Sequence, residues 1–149
     1  MPAREQLTEK ILASKRKLGL KWSTIASALG SSSPILYTAA LLGQFPLTPE
    51  EAERAVSLLE LDESDATLLT ESPNRGANSV MPPTDPLIYR FYELVQNYGT
   101  TWKALIEEEF GDGIMSAIDF NMSIARQPDP KGDRVKIEMS GKFLPFKRF

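Results

Sequence analysis

Residues 71–86 hold four prolines, Pro73, Pro82, Pro83 and Pro86, and these divide the chain. Proline fixes its own φ, lacks an amide donor and disfavours helix in the residue before it. With Asn74, Gly76, Asn78 and Ser79 alongside, the stretch reads as a linker or an ordered crossing segment. The 149 residues therefore fall into two domains, 1–75 and 76–149, each small for an independent core.

The two halves are patterned differently. In the first, Leu7, Ile11, Leu12 and Leu18 predict a helix. Trp22, Ile25, Ala26 and Leu29 follow the i, i+3, i+4, i+7 spacing of a second, closed by Gly30. Ser31, Ser32 and Ser33 form a turn, and Pro34 suits the first position of a third helix that ends at Gly43. Thr48-Pro49-Glu50-Glu51 is a capping box opening a fourth helix, with Ala52, Ala55, Val56 and Leu59 on one face. A short fifth helix is predicted over 65–69.

In the second half Asp85 caps a helix with Pro86 at its first position. Leu87, Phe91, Leu94, Val95 and Tyr98 mark its apolar stripe, and Gly99 is expected to break it. Thr100 then caps a further helix to Phe110, with Trp102, Leu105, Ile106 and Phe110 facing inward. Gly111-Asp112-Gly113 is a tight loop, and one or two helical turns are expected over 114–118. Alternation follows: Phe120, Met122 and Ile124 against Asn121, Ser123 and Ala125, then Val135, Ile137 and Met139 against Lys136 and Glu138. The turn at 128–133 joins these into a hairpin, and 142–146 suggests a third short strand. The fold class is α+β, mainly α. Two helices and a hairpin supply few apolar positions for a core, and an isolated hairpin is marginal in water. An obligate oligomer follows, in which another copy covers the apolar face.

Composition narrows the chemistry. There is no His and no Cys, so a His base, a Ser-His-Asp triad, a Cys nucleophile, a disulfide and a typical zinc site are all excluded. Any catalysis falls to Arg, Lys, Glu, Asp, Ser, Thr, Tyr or the backbone. No apolar run reaches the roughly 18 residues of a membrane span, and the charged start Met1-Pro2-Ala3-Arg4-Glu5-Gln6 lacks a signal-peptide core, which makes the cytoplasm the expected location.

Residues 22–42 have helix-turn-helix spacing. Charge argues against DNA as the partner. Residues 1–70 carry seven Lys and Arg against nine acids, and the helix in the recognition position, 33–42, has no Arg, Lys, Asn or Gln to meet bases or phosphates. The Lys15-Arg16-Lys17 run reads as a solvated helix face.

Arg90 and Glu93 stand three apart on the helix opened by Pro86, beside its apolar stripe. Alone, such a pair is an ordinary surface ion pair. Ser116 alone reads as a local cap, and the two-glycine loop before it is a weak anion-binding signal. In context they carry more. The runs 84–93 (Thr-Asp-Pro-Leu-Ile-Tyr-Arg-Phe-Tyr-Glu), 98–105 (Tyr-Gly-Thr-Thr-Trp-Lys-Ala-Leu) and 110–118 (Phe-Gly-Asp-Gly-Ile-Met-Ser-Ala-Ile) closely resemble the cyanase family, also called cyanate hydratase or cyanate lyase. Residues 39–44 and 141–145 extend the resemblance over essentially the whole chain. Phe143 departs from it, standing where the family commonly has Tyr.

The resemblance implies bicarbonate-dependent decomposition of cyanate to carbamate and carbon dioxide, the carbamate then giving ammonia and more carbon dioxide. The family's catalytic Arg, Glu and Ser fall on Arg90, Glu93 and Ser116. It implies no metal or organic cofactor, bicarbonate being a co-substrate. It implies a homodecamer of five dimers with active sites at subunit interfaces, and C-terminal strands that interlock between dimer partners. It also implies a lambda-repressor-like N-terminal bundle that does not bind DNA, and no membrane association. Arg90 suits two anionic substrates, because its fork is always charged. Ser116 fits as a donor orienting one anion. Glu93 either orients Arg90 through a salt bridge or is protonated and moves a proton. Two other classes compete: a helix-turn-helix transcription factor with a C-terminal dimerisation domain, and a purely structural oligomer. A gel-shift titration on duplex DNA is expected to show no salt-sensitive complex; a complex that weakens steeply with salt would restore the transcription-factor reading.

Overall fold

The computed structural model describes residues 1–76 and 80–149; residues 77–79 of the proline-rich stretch lie outside the described residues. The chain divides into two compact units, Met1–Asn78 and Ser79–Phe149. No helix among the described residues is long and apolar enough to cross a membrane.

The first unit is a five-helix bundle: α1 (Ala3–Leu18), α2 (Trp22–Leu29), α3 (Pro34–Leu41), α4 (Pro49–Leu58) and α5 (Asp65–Thr70). Local chemistry sets the ends. Gly19 closes α1 in the left-handed conformation, at φ 64°. The Ser33 hydroxyl accepts from Ile35 N–H ahead of Pro34. Thr48 and Glu51 form the reciprocal capping box that opens α4, Thr48 Oγ1 accepting from Glu51 N–H and Glu51 Oε2 from Thr48 N–H. α2 packs on α3 and α4, α4 on α5, and α5 on α1. Leu7, Ile11, Ile25, Leu29, Tyr37, Leu41, Leu59 and Leu69 fill the centre.

Tyr37 explains why α3 is bound into this bundle. Its ring is 1% exposed. Its hydroxyl donates to Glu51 Oε1 and accepts from Ser32 N–H, each at 3.1 Å. Glu51 thus holds the α4 cap with one oxygen and α3 with the other. Gly30 leaves room for this, since a Cβ there would run into the Tyr37 hydroxyl.

The second unit consists of α6 (Pro86–Phe110), β1 (Gly113–Gln127) and β2 (Arg134–Pro145). Asp85 Oδ1 caps α6, accepting from Leu87 and Ile88 N–H at 2.9 Å each. The strands pair antiparallel in a two-stranded sheet, with Met122 opposite Met139 and Ile124 opposite Ile137. No residue of α6 is buried, and Ser116 alone is buried in the two strands. Leu87, Phe91, Leu94, Val95, Tyr98, Trp102 and Leu105 all lie exposed.

Three local expectations are corrected. Gly99 does not break the helix, and Thr100 caps nothing: α6 runs unbroken for 25 residues. The apolar stripe keeps its phase across Gly99, from Leu94 and Tyr98 to Trp102 and Leu105. A single glycine costs only about 1 kcal/mol in a helix interior. Residues 114–118 are not helical but belong to β1, where Ile114 and Met115 pair with Leu144 and Phe143. Cross-strand pairing overrides the local preference. Residues 142–146 make no third strand; Lys142–Pro145 continue β2, and Phe146 N–H donates to Asp112 O just beyond it. Of the inward-facing residues assigned to 87–110, all but the half-buried Ile106 are exposed in the single chain, on the face expected to meet another copy.

Tyr37→Phe removes the hydroxyl and leaves Ser32 N–H and Glu51 without it. It is expected to lower unfolding stability by about 1–2 kcal/mol, read as a lower denaturant midpoint at unchanged slope.

Candidate active site

α6 presents Arg90 and Glu93 together. Three residues apart, they share a helix face, with Arg90 Nη1 3.2 Å from Glu93 Oε2. Arg90 Nε donates to Pro86 O at 3.2 Å, and the guanidinium lies 5.2 Å from the Tyr89 ring centroid. Nε is therefore anchored to the first turn of the helix and Nη1 to Glu93. Among the described residues Nη2 has no partner, and it is free to meet an anion. Both side chains are open to water, 63% and 41% exposed.

Ser116 sits in a different setting. It is one of two buried polar residues among those described, at 4% exposure. Pairing breaks register here: Met115 faces Phe143 and Phe120 faces Gly141, so Ser116, Ala117, Ile118 and Asp119 stand opposite Lys142 alone. The extra residues loop out as a bulge, and Ile118 at its tip is 98% exposed. Ser116 Oγ ties the bulge from inside, accepting from Ile118 N–H at 3.0 Å and Asp119 N–H at 2.9 Å. A hydroxyl has two acceptor sites and one proton. With both acceptor sites occupied, Ser116 is left as a donor. The local-cap reading of Ser116 thus accounts for its two acceptor sites and leaves its hydroxyl proton.

The Gly111-Asp112-Gly113 loop is taken up by structure. Gly111 N–H closes α6 on Glu107 O at 2.9 Å, and Gly113 pairs with Pro145. Beside the bulge, Ile106, Phe110, Met115, Ser140, Gly141 and Phe143 line an apolar cavity of about 220 Å³. Phe143 packs tilted against Phe110 there, with ring centroids 5.2 Å apart.

The chain joins Arg90 to Glu93 but does not bring Ser116 to them. Twenty residues of helix separate Arg90 from Phe110, about 30 Å at 1.5 Å per residue. Neither strand packs along α6; the hairpin meets it at its C-terminal end through Phe143 and Phe110. Arg90 thus lies near the start of α6, and the hairpin that carries Ser116 begins beyond its other end.

Known proteins match along the whole chain. The profile of the cyanate hydratase N-terminal domain matches residues 4–73, and that of the cyanate lyase C-terminal domain residues 80–148. The chain belongs to the cyanate hydratase family. A cyanate hydratase of Ralstonia pickettii (strain 12J) is 56% identical over 146 residues, 98% of this chain and 99% of that protein. One of Dechloromonas aromatica (strain RCB) is 54% identical over the same span. The crystal structure of cyanase from T. urticae superposes with a TM-score of 0.80 at 36% identity, covering 93% of this chain and 96% of that one. The helical fold with one antiparallel hairpin is thus the fold of this cyanate hydratase family.

In the single chain the Arg90–Glu93 pair is solvated and contributes little to folding. Glu93→Gln is expected to shift the stability of the separated chain by less than about 0.5 kcal/mol, measured by denaturant titration.

Proposed function

We propose that this cyanate hydratase completes its active site between chains, Arg90 and Glu93 coming from one subunit and Ser116 from another. The enzyme is a lyase acting on cyanate, as its near-full-length relatives are named. The observation that carries the shared site is the length of helix between Arg90 and the end of α6, beyond which the hairpin that holds Ser116 begins. Residues that serve one small reaction have to meet within a few ångströms, and nothing in the single chain brings Ser116 along α6 to Arg90. The bare stripe of α6 supports the same reading, because whatever covers Phe91 and Leu94 also comes to lie beside Arg90 and Glu93. A closed ring of five dimers is the assembly the family resemblance implies.

Bicarbonate is the co-substrate in this reading, and no metal or organic cofactor takes part. Cyanate, bicarbonate and one proton give carbamate and carbon dioxide; a further proton releases ammonia and a second carbon dioxide. Two anions must be held side by side, so the site has to supply positive potential and fixed donors. Arg90 supplies the charge through the free side of its fork. Ser116 donates its one proton to an oxygen where negative charge collects as bicarbonate oxygen adds to the cyanate carbon. Its two backbone donors polarise it and hold it in place beforehand. The 3.2 Å ion pair favours the orienting role for Glu93 over the proton-transfer role. The nitrogen gains one proton from bicarbonate and the other from solution.

Ammonia release from cyanate is expected to require added bicarbonate; none in either condition from assembled protein overturns the bicarbonate mechanism. Arg90→Ala and Ser116→Ala are each expected to lose at least about a hundredfold in turnover with the assembly intact by light scattering. Co-assembly of the two inactive variants tests the shared site. Sites that take Arg90 from one chain and Ser116 from the other regain both groups, so partial activity returns. No recovery in mixed assemblies would place all three residues in one chain's site.

A further inference from the structure

We infer that Gly141 is a positioning residue for Ser116: the missing side chain at 141 is the space that the Ser116 bulge occupies. This rests on the donor role proposed for Ser116. Gly141 lies in β2 opposite Phe120, at the edge of the register break. Its backbone is outside the left-handed region, so the need for glycine is one of space and not of backbone freedom. A Cβ built there would collide with the Ser116 carbonyl oxygen and come within 2.7 Å of Met115 Cγ and 3.3 Å of the Ser116 carbonyl carbon. The Met115 side chain can turn away, but a carbonyl in the chain cannot.

The collision falls at the root of the bulge. The Ser116 carbonyl turns in toward β2 at Gly141, and the four residues opposite Lys142 loop out from that point. Ser116 Oγ holds the loop by its bonds from Ile118 and Asp119 N–H. Pushing the carbonyl out rotates the serine and misaligns both bonds, and the hydroxyl proton moves with them. A displacement of about 1 Å in a group that must meet developing charge lowers the rate by up to about a hundredfold. Glycine inside a strand often marks such a close backbone approach.

The test is a double-mutant cycle on the full-length, assembled protein with Gly141→Ala, Ser116→Ala and both together. Gly141→Ala is expected to lower kcat by about ten- to a hundredfold with KM for cyanate and bicarbonate changed less than about threefold. Because it acts through Ser116, it is expected to cause no further loss in the Ser116→Ala background. Full turnover in assembled Gly141→Ala, alongside an inactive Ser116→Ala, overturns the inference and leaves the Ser116 role standing. Losses that multiply in the double variant also overturn it, since Gly141 then acts elsewhere. An active Ser116→Ala removes the Ser116 role, and the inference with it. Should Gly141→Ala alone not assemble, adding Met115→Ala removes one of the clashes and leaves the carbonyl clash. That pair is expected to assemble and still to lose turnover. Failure of both to assemble makes 141 a requirement of the hairpin alone and overturns the inference.

Discussion

An apolar side chain left in water forgoes roughly 25 cal/mol for each Å² it could have buried, and α6 carries such side chains along its whole length. Leu87, Phe91, Leu94, Val95, Tyr98, Trp102 and Leu105 form one continuous stripe with nothing from their own hairpin laid over it. The stripe explains why α6 continues past Gly99, since a break there would split the surface that has to be covered. It also bears on the chemistry. Arg90 and Glu93 flank the stripe, so covering it takes water away from them. A solvated ion pair is worth little, whereas the same charges act strongly in a dry, preorganised site. In the proposed shared site, association and activation are then one event.

The first unit answers a different demand. Its spacing over 22–42 suits a helix that enters a DNA groove, yet α3 is tied inward. Tyr37 is fixed by Glu51 and Ser32 on one side and admitted by Gly30 on the other. Glu51 serves the α4 cap as well, so the orientation of α3 and the start of α4 depend on one carboxylate. A helix held in this way, with no basic side chain, is a packing element of the bundle.

Signals that act within one or two turns were legible. Asp85-Pro86 and Thr48 with Glu51 are caps whose donors and acceptors sit three residues apart at most, Pro34 marks a first helical position, and the structure places each at its helix start. Position 99 and residues 114–118 were misread because their state is set by distant partners. Gly99 follows the continuous stripe on both sides of it, and Ile114 and Met115 follow Leu144 and Phe143, about thirty residues on. The site shows the same division. The Arg90–Glu93 juxtaposition follows from helical spacing. The setting of Ser116 does not, because it depends on a register break and on the backbone of β2. Periodicity could rank neither Ser116 nor Gly141 above its neighbours; the family resemblance singled out the serine, and the geometry of the bulge singles out the glycine.

A chain without His or Cys has no side chain that changes charge near neutrality by its ordinary pKa. Its catalysis has to come from groups whose charge and direction are set before the substrates arrive. Arg90 is held at Nε by Pro86 O and at Nη1 by Glu93, which leaves Nη2. Ser116 has both lone pairs occupied and one proton to give. In the roles proposed for them each is restricted by its neighbours to a single task, and that restriction needs rigidity more than reactivity. For Ser116 the rigidity comes from backbone: two amides of its own bulge in front and a strand with no side chain at 141 behind. A larger residue at 141 leaves every proposed catalytic group chemically intact and removes only its alignment, so preorganisation, and not the inventory of side chains, is where the activity of such a site resides.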